Sequence, residues 1–188
     1  MRAGSFFLIL TGLAVAVVVW AIGMYNTLVR RRNQVEDAWS GIEVQLKRRH
    51  NLIPNILETV KGYAKHEKDV LSSVTQLRSA SQATGSAVGS AKQEQAISNA
   101  LRSLMVQVEA YPELKADANF RQLQQQLQEV EEAIQNARRY YNATVRDYNT
   151  TIQSFPSNLI ADRFGFKEAE FFELDDNDVA REVPTVKF

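Results

Sequence analysis

Cysteine is absent from this 188-residue chain. That excludes disulfides, thiolate metal sites and cysteine nucleophiles, and it leaves the redox compartment open. Glycine and proline are scarce, at 8 and 4 residues, so turn-rich β architectures are disfavoured and long helices meet few interruptions. Neither sign of charge dominates, because Lys+Arg and Asp+Glu both number 22. Such a balance gives no electrostatic footprint for long nucleic acid.

Histidine is nearly missing as well: His50 and His66 are the only two. His66-Glu67 lacks the second histidine of an H-E-x-x-H zinc site, and no Glu-x-x-His pair of the di-iron bundle kind occurs. There is no G-x-x-x-x-G-K-[ST] loop and no G-x-S-x-G elbow. Both histidines read as structural or surface residues, and the acidic run Glu129, Glu131, Glu132 reads as a solvated helix face. The chain is therefore expected to be no enzyme, with no catalytic residue, no cofactor and no metal.

What the sequence does hold is apolar. Residues 6–25, FFLILTGLAVAVVVWAIGMY, carry no charge and match the roughly 20 apolar residues that cross a bilayer. Trp20 and Tyr25 stand towards the far end, where amphipathic aromatics favour the interface. A cleaved signal peptide shares the short basic start and apolar run. Against it stand the length of the stretch, the poor Ala21-x-Gly23 cleavage site, and Met24-Tyr25-Asn26 running straight into a helical pattern. Only Arg2 precedes the span, whereas Arg30, Arg31 and Arg32 follow it, with Lys47, Arg48 and Arg49 further on. The positive-inside rule then places the N-terminus outside and the body in the cytoplasm. The arginine triplet is a stop-transfer flank, and contact with anionic headgroups would add roughly 1 kcal/mol per charge.

Beyond the anchor, apolar residues recur in alternating steps of three and four. Leu28, Val35, Trp39, Ile42, Leu46, Ile53, Ile56, Val60 and Tyr63 form the first stripe, with Arg32 and Arg49 its polar members. This is the heptad seam of left-handed bundles and coiled coils, and it continues through Val70 or Leu71, Val74 and Leu77. Anchor and first soluble helix read as one rod, about 70 Å long over residues 6–52 at 1.5 Å per residue. Pro54 should kink it or mark a tight helix junction, since it lacks the backbone donor. A loop is expected near 79–92, where Ser and Gly replace large apolar residues. A second arm runs through Ile97, Leu101, Leu104, Val108 and Tyr111 to a break near 112–118. Asn119, with Gln122 three residues on, is placed to cap the next helix. That helix carries Phe120, Leu123, Leu127, Val130, Ile134, Ala137, Tyr141, Val145, Tyr148, Ile152 and Phe155. Phe155-Pro156 ends it, Ser157 is placed to cap a short helix, and Gly165 stops that one after Phe164. In the tail, Phe166, Phe171 and Phe172 alternate with Glu and Lys ahead of an acidic loop.

The expected fold is all-α: an N-terminal transmembrane helix continuous with an antiparallel bundle of long heptad-patterned helices, and an extended C-terminal tail. The divisions are a membrane anchor over 1–25, a helical bundle over 26–165, and an extended aromatic and acidic tail over 166–188.

One nine-residue pattern occurs twice. YNTLVRRRN at 25–33 and YNATVRDYN at 141–149 both read Y-N-x-x-V-R-x-x-N. On a helix, Asn26, Val29 and Asn33 share one face, as do Asn142, Val145 and Asn149. Asparagine at a buried heptad position costs stability but fixes register. The six residues are therefore candidates for a polar clasp that aligns two helices. Gly62 interrupts a good helix at a cost of about 1 kcal/mol against Ala, which makes it a candidate for close helix approach or self-association. Phe171 and Phe172 are candidate interaction residues of the tail.

Longer motifs carry a family resemblance. The stretch from Tyr25 through YNTLVRRRNQVEDAWSGIEVQLKRRHNLIPNILETVKGYAKHEKDVL, with YPELKADANFRQLQQQL, RRYYNATVRDYNTTIQSFPSNLIA and the closing VPTVKF, resembles the LemA family. The loop at 79–92 and the acidic tail are its least typical parts. The resemblance implies a small bacterial membrane protein with an N-terminal helix and a helical-bundle body. Such proteins include magnetosome-membrane members and are often linked with membrane-protein quality control, and the family supplies no catalytic residues. Two functions are expected from this. One is a non-enzymatic scaffold at the bacterial inner membrane, single-pass, that self-associates as a homo-oligomer and organises membrane lipid or membrane-protein complexes. The other is an adaptor that presents its tail to a membrane enzyme such as a quality-control protease.

Overall fold

The computed structural model describes residues 2–63, 68–83 and 91–172. Among these the regular structure is all helical, without a strand: α1 (Arg2–Tyr63), α2 (Lys68–Ala83), α3 (Ala91–Val108), α4 (Pro112–Ala116), α5 (Ala118–Gln153) and α6 (Ser157–Phe164). The acidic loop expected in the tail, and His66, lie outside the described residues.

α1 is a single 62-residue helix with Pro54 inside it. The expected junction at Pro54 does not occur. Proline removes one intrahelical hydrogen bond, but Pro54 sits on the exposed side while Ile53, Ile56 and Leu57 beside it are buried. Burial of those side chains, worth about 1.5–3 kcal/mol each, outweighs the missing bond, and the helix continues through it. At the other end of α1, an apolar stretch of mean hydropathy 2.5 is entirely unburied.

The described chain forms two compact units, one from Met1–Gly41 with Ala137–Phe171, the other built on Ile42–Asn136. In the first unit Leu28, Val35 and Ala38 of α1 are buried, as are Tyr141, Val145, Tyr148 and Ile152 of α5 and Ala161 of α6. Trp39 meets Tyr141 edge-on, with ring centroids 5.4 Å apart, a favoured aromatic geometry. Phe155, expected in the core, is 80% exposed. It lies past the end of α5, where the helical period no longer aims it inward.

The second unit has a core from all of its helices. Ile53, Ile56 and Val60 of α1 pack with Val70, Val74 and Leu77 of α2, Leu101 and Leu104 of α3, Leu114 of α4, and Phe120 and Leu127 of α5. Tyr63, expected to close the α1 stripe, is instead exposed. Its hydroxyl donates to Asp117 Oδ2 at 2.7 Å, so its polar tip is kept at the surface.

Asp117, and not Asn119, caps α5: its Oδ1 accepts from the Phe120 N–H at 2.8 Å. α4 ends one residue earlier, and that fixes the start of α5 at Ala118. An N-cap accepts from the second or third helical residue, which only residue 117 can then do. That backbone hydrogen bond, followed by the one from Tyr63, holds the Asp117 carboxyl below its ordinary value. The expected cap at Ser157 is also absent. Ser157 is the first helical residue of α6, and its hydroxyl donates back to the carbonyls of Thr151 and Ser154.

Candidate functional site

In the first unit both copies of the repeated pattern hold the chain that follows α6. Gly165, with φ +71°, ends α6 in the left-handed conformation that glycine adopts without a Cβ penalty. Phe166 N–H closes the cap by donating to Ala161 O at 3.0 Å. From there residues 166–172 run without regular structure. Such a segment has backbone groups to satisfy and no sheet to satisfy them.

The second copy supplies what is missing. Asn149 donates from Nδ2 to Ala169 O at 2.9 Å and accepts from Ala169 N–H at Oδ1, also at 2.9 Å. A side-chain amide offers the same donor and acceptor as a peptide, so Asn149 stands in for the neighbouring strand that Ala169 lacks. Tyr141 Oη donates to Glu170 O at 2.9 Å. Burial, and then the nearby Glu170 carboxylate, push the Tyr141 phenol above its ordinary value and keep it a donor. Gln153 donates to the Glu168 carboxylate at 2.9 Å.

The first copy grips with rings. Tyr25 meets Phe164 and Phe166 edge-on at 4.9 and 5.7 Å between centroids, and the Arg32 guanidinium lies 5.8 Å from the Phe166 ring, within cation–π range. The two pattern tyrosines, Tyr25 and Tyr141, thus touch the same seven-residue neighbourhood from two helices.

The candidate clasp residues are not placed alike. Val145 is fully buried, Asn149 is buried and Asn142 half-buried on α5. Asn26 and Asn33 on α1 are exposed and Val29 is half-buried. The six residues therefore do not meet as a buried asparagine clasp. Gly62 has open space where a Cβ would stand, so no close approach among the described residues requires it. Phe172 is buried and Phe171 is 41% exposed.

The second unit contains an arrangement that the sequence pattern concealed. Arg49, the polar member of the α1 stripe, is only 1% exposed. It donates to Ser98 Oγ at 2.7 Å and to Glu131 Oε1 at 2.9 Å, and it pairs with the Glu94 carboxylate. Glu94 is 4% exposed and Glu131 about one-third exposed. Glu131 is thus no solvated face residue: it is the second carboxylate of a buried ion cluster. A buried guanidinium is tolerated only when paired and hydrogen-bonded, which three partners on two helices achieve here. Glu94 stands three residues before Ile97 on the α3 stripe, a sign that was present but unread. Arg138, also buried, took the place in the α5 stripe that was assigned to Ala137.

Nothing in these two arrangements makes a reactive constellation: one binds backbone, the other neutralises charge. Residues 38–188 match the model of the LemA family. The chain is 28% identical over 185 residues to magnetosome protein MamQ 2 of Paramagnetospirillum magneticum, covering 85% of this chain and 68% of that one. It is 27% identical over 172 residues to protein LemA of Metamycoplasma hominis, covering 91% and 77%, and 26% identical over 184 residues to magnetosome protein MamQ of Magnetospirillum gryphiswaldense, covering 84% and 68%. With the unburied apolar stretch of α1, these relationships describe a membrane-associated helical protein, and the chain belongs to the LemA family.

Proposed function

We propose that this chain is a non-enzymatic scaffold, anchored once in the bacterial inner membrane, that self-associates and organises membrane lipid or membrane-protein complexes. The observation that carries the reading is the continuity of α1, in which an apolar stretch able to span a bilayer and a packed bundle helix are one element. A first unit joined to its anchor by an unbroken helix holds neighbours in a fixed orientation, which is what a scaffold needs. The exposed Asn26, Asn33 and Gly62 are its candidates for contact between copies. The magnetosome names of two relatives support a role in building a cellular structure rather than in chemistry. The cationic flank Arg30–Arg32 favours an N-terminus outside and a cytoplasmic body.

The test is the mass of the full-length protein in nanodiscs and in mild detergent, measured by light scattering across protein concentration. An assembly of fixed stoichiometry is expected, weakened by replacing Asn26 and Asn33 together. A monomer at every concentration sinks the scaffold.

A second reading, an adaptor for a membrane enzyme such as a quality-control protease, rests on Phe171, which is exposed just beyond the held segment. Truncation after Phe172 separates the two, since an adaptor loses its partner and a scaffold still assembles.

A further inference from the structure

Three large apolar side chains at the end of the first unit are left in the open: Phe155 is 80% exposed, Leu159 57% and Phe164 59%. Exposed apolar residues are ordinary singly, but three within the ten residues 155–164, beside an apolar span, call for an interaction. Their position says which. Trp39 faces Tyr141 and Arg31 faces Asp147, so α5 descends along α1 towards the apolar span. The same antiparallel register brings Gln153, the last residue of α5, level with Tyr25, and Phe155 follows two residues on. Phe164 lies at that level too, because its ring is 4.9 Å from that of Tyr25, the last residue of the apolar stretch 6–25.

α6 is shaped for that level. At 100° per residue, its buried Ser157 and Ala161 lie opposite Leu159. One way round from Leu159 come the exposed Arg163, then Ile160 and Phe164; the other way come Asp162 and Asn158. A short helix with apolar side chains beside an arginine, held where a membrane span ends, fits the headgroup–acyl boundary, into which such side chains sink while the guanidinium reaches for phosphate.

We propose that α6 and the corner before it are a membrane foot: Phe155, Leu159 and Phe164 insert into the bilayer interface beside the span, and Arg163 meets lipid phosphate. The foot would fix how far the first unit stands from the bilayer and which side of it faces the lipid. This inference rests on the reading of residues 6–25 as a membrane span, so the experiment tests that reading separately.

The natural absence of cysteine allows single cysteines at Phe155, Leu159, Phe164, Asp162 and, as a control, Val17. All five positions are exposed, and circular dichroism checks that each variant keeps its helix content. Each full-length variant carries a bimane label in phosphatidylethanolamine–phosphatidylglycerol vesicles containing lipids with a quencher either near the headgroup or deep in the chain. Labels at 155, 159 and 164 should be quenched several-fold more by the shallow quencher than by the deep one, and the label at 17 more by the deep one. The label at 162 should respond to aqueous iodide. If Val17 is lipid-quenched while 155, 159 and 164 follow 162 into water, the foot is wrong and the anchor stands. If 17 escapes the lipid quenchers, both fall. A label at 159 shielded from lipid and water alike would mean that a second copy covers this face, which also overturns the proposal.

Discussion

Arg31 and Asp147 occupy the same seventh place in the two copies of the repeated pattern, and they face each other: Arg31 Nη1 lies 3.3 Å from Asp147 Oδ2. The two copies run in opposite directions on neighbouring helices of one unit, so one place meets its own counterpart, here the seventh, and opposite charge at that place makes the meeting attractive. Both side chains are substantially exposed, which limits the pair to about 0.2–1 kcal/mol. Arg31→Asp and Asp147→Arg should each destabilise the first unit slightly, and the double exchange should restore it. A double-mutant cycle by urea unfolding checks this, with a coupling that fades at high salt.

The asparagines at the ninth place should behave very differently. Asn149→Ala leaves the Ala169 N–H and C=O without their partners, at a cost of about 1–3 kcal/mol. It should also release the chain beyond Gly165, making the peptide bond after Lys167 sensitive to trypsin. Asn33→Ala, on an exposed face of α1, should change stability by less than about 0.5 kcal/mol. Equal effects from the two would contradict the assignment of Asn149 to the held segment.

For the second unit, removing one partner of a buried ion cluster is costly because it strands the others. Arg49→Ala should cost about 3–5 kcal/mol. Replacing Arg49, Glu94 and Glu131 together with apolar residues of similar volume should recover most of that loss. Thermal unfolding of the three single variants and the triple variant distinguishes a charge effect from a simple cavity, which the triple variant would not mend.

Asp117 links stability to acid. Its carboxyl lies below the ordinary value when folded, first because of the Phe120 N–H and then because of Tyr63. A depressed folded value contributes stability that is fully present above the unfolded value of about 3.9 and is lost as pH falls through the folded one. Tyr63 mirrors this, since its hydrogen bond to Asp117 raises it; its contribution is present below the unfolded value of about 10 and is lost as pH rises through the folded one. Asp117→Asn should therefore flatten the acid limb of a urea-unfolding series, and Tyr63→Phe the alkaline limb.

The all-α class and the apolar N-terminal helix were legible because the causes are local. An uncharged run of twenty residues, Pro112, Pro156 and Gly165 each act on the backbone beside them. Longer-range pairings were not legible. Ala169 has a side chain with no chemistry, so nothing in the sequence announces that its backbone meets Asn149 twenty residues earlier. Glu94 stands in step with the α3 stripe just before Ile97, but a polar residue in a seam and the end of that seam look alike until the partner arginine is placed. Asp117 and Asn119 are both good capping residues, and the choice between them was made by where α4 ends. The repeated pattern was read as two asparagine faces meeting, whereas its tyrosines and one of its asparagines hold a third segment.

The unbroken course of α1 through Gly41 has one more consequence. A span too long for its bilayer is accommodated by tilting, and a helix without a joint cannot tilt in one part only. With the apolar stretch of α1 set in a bilayer, lipid chain length would reach the first unit along the helix axis, at the contacts around Trp39 and Tyr141.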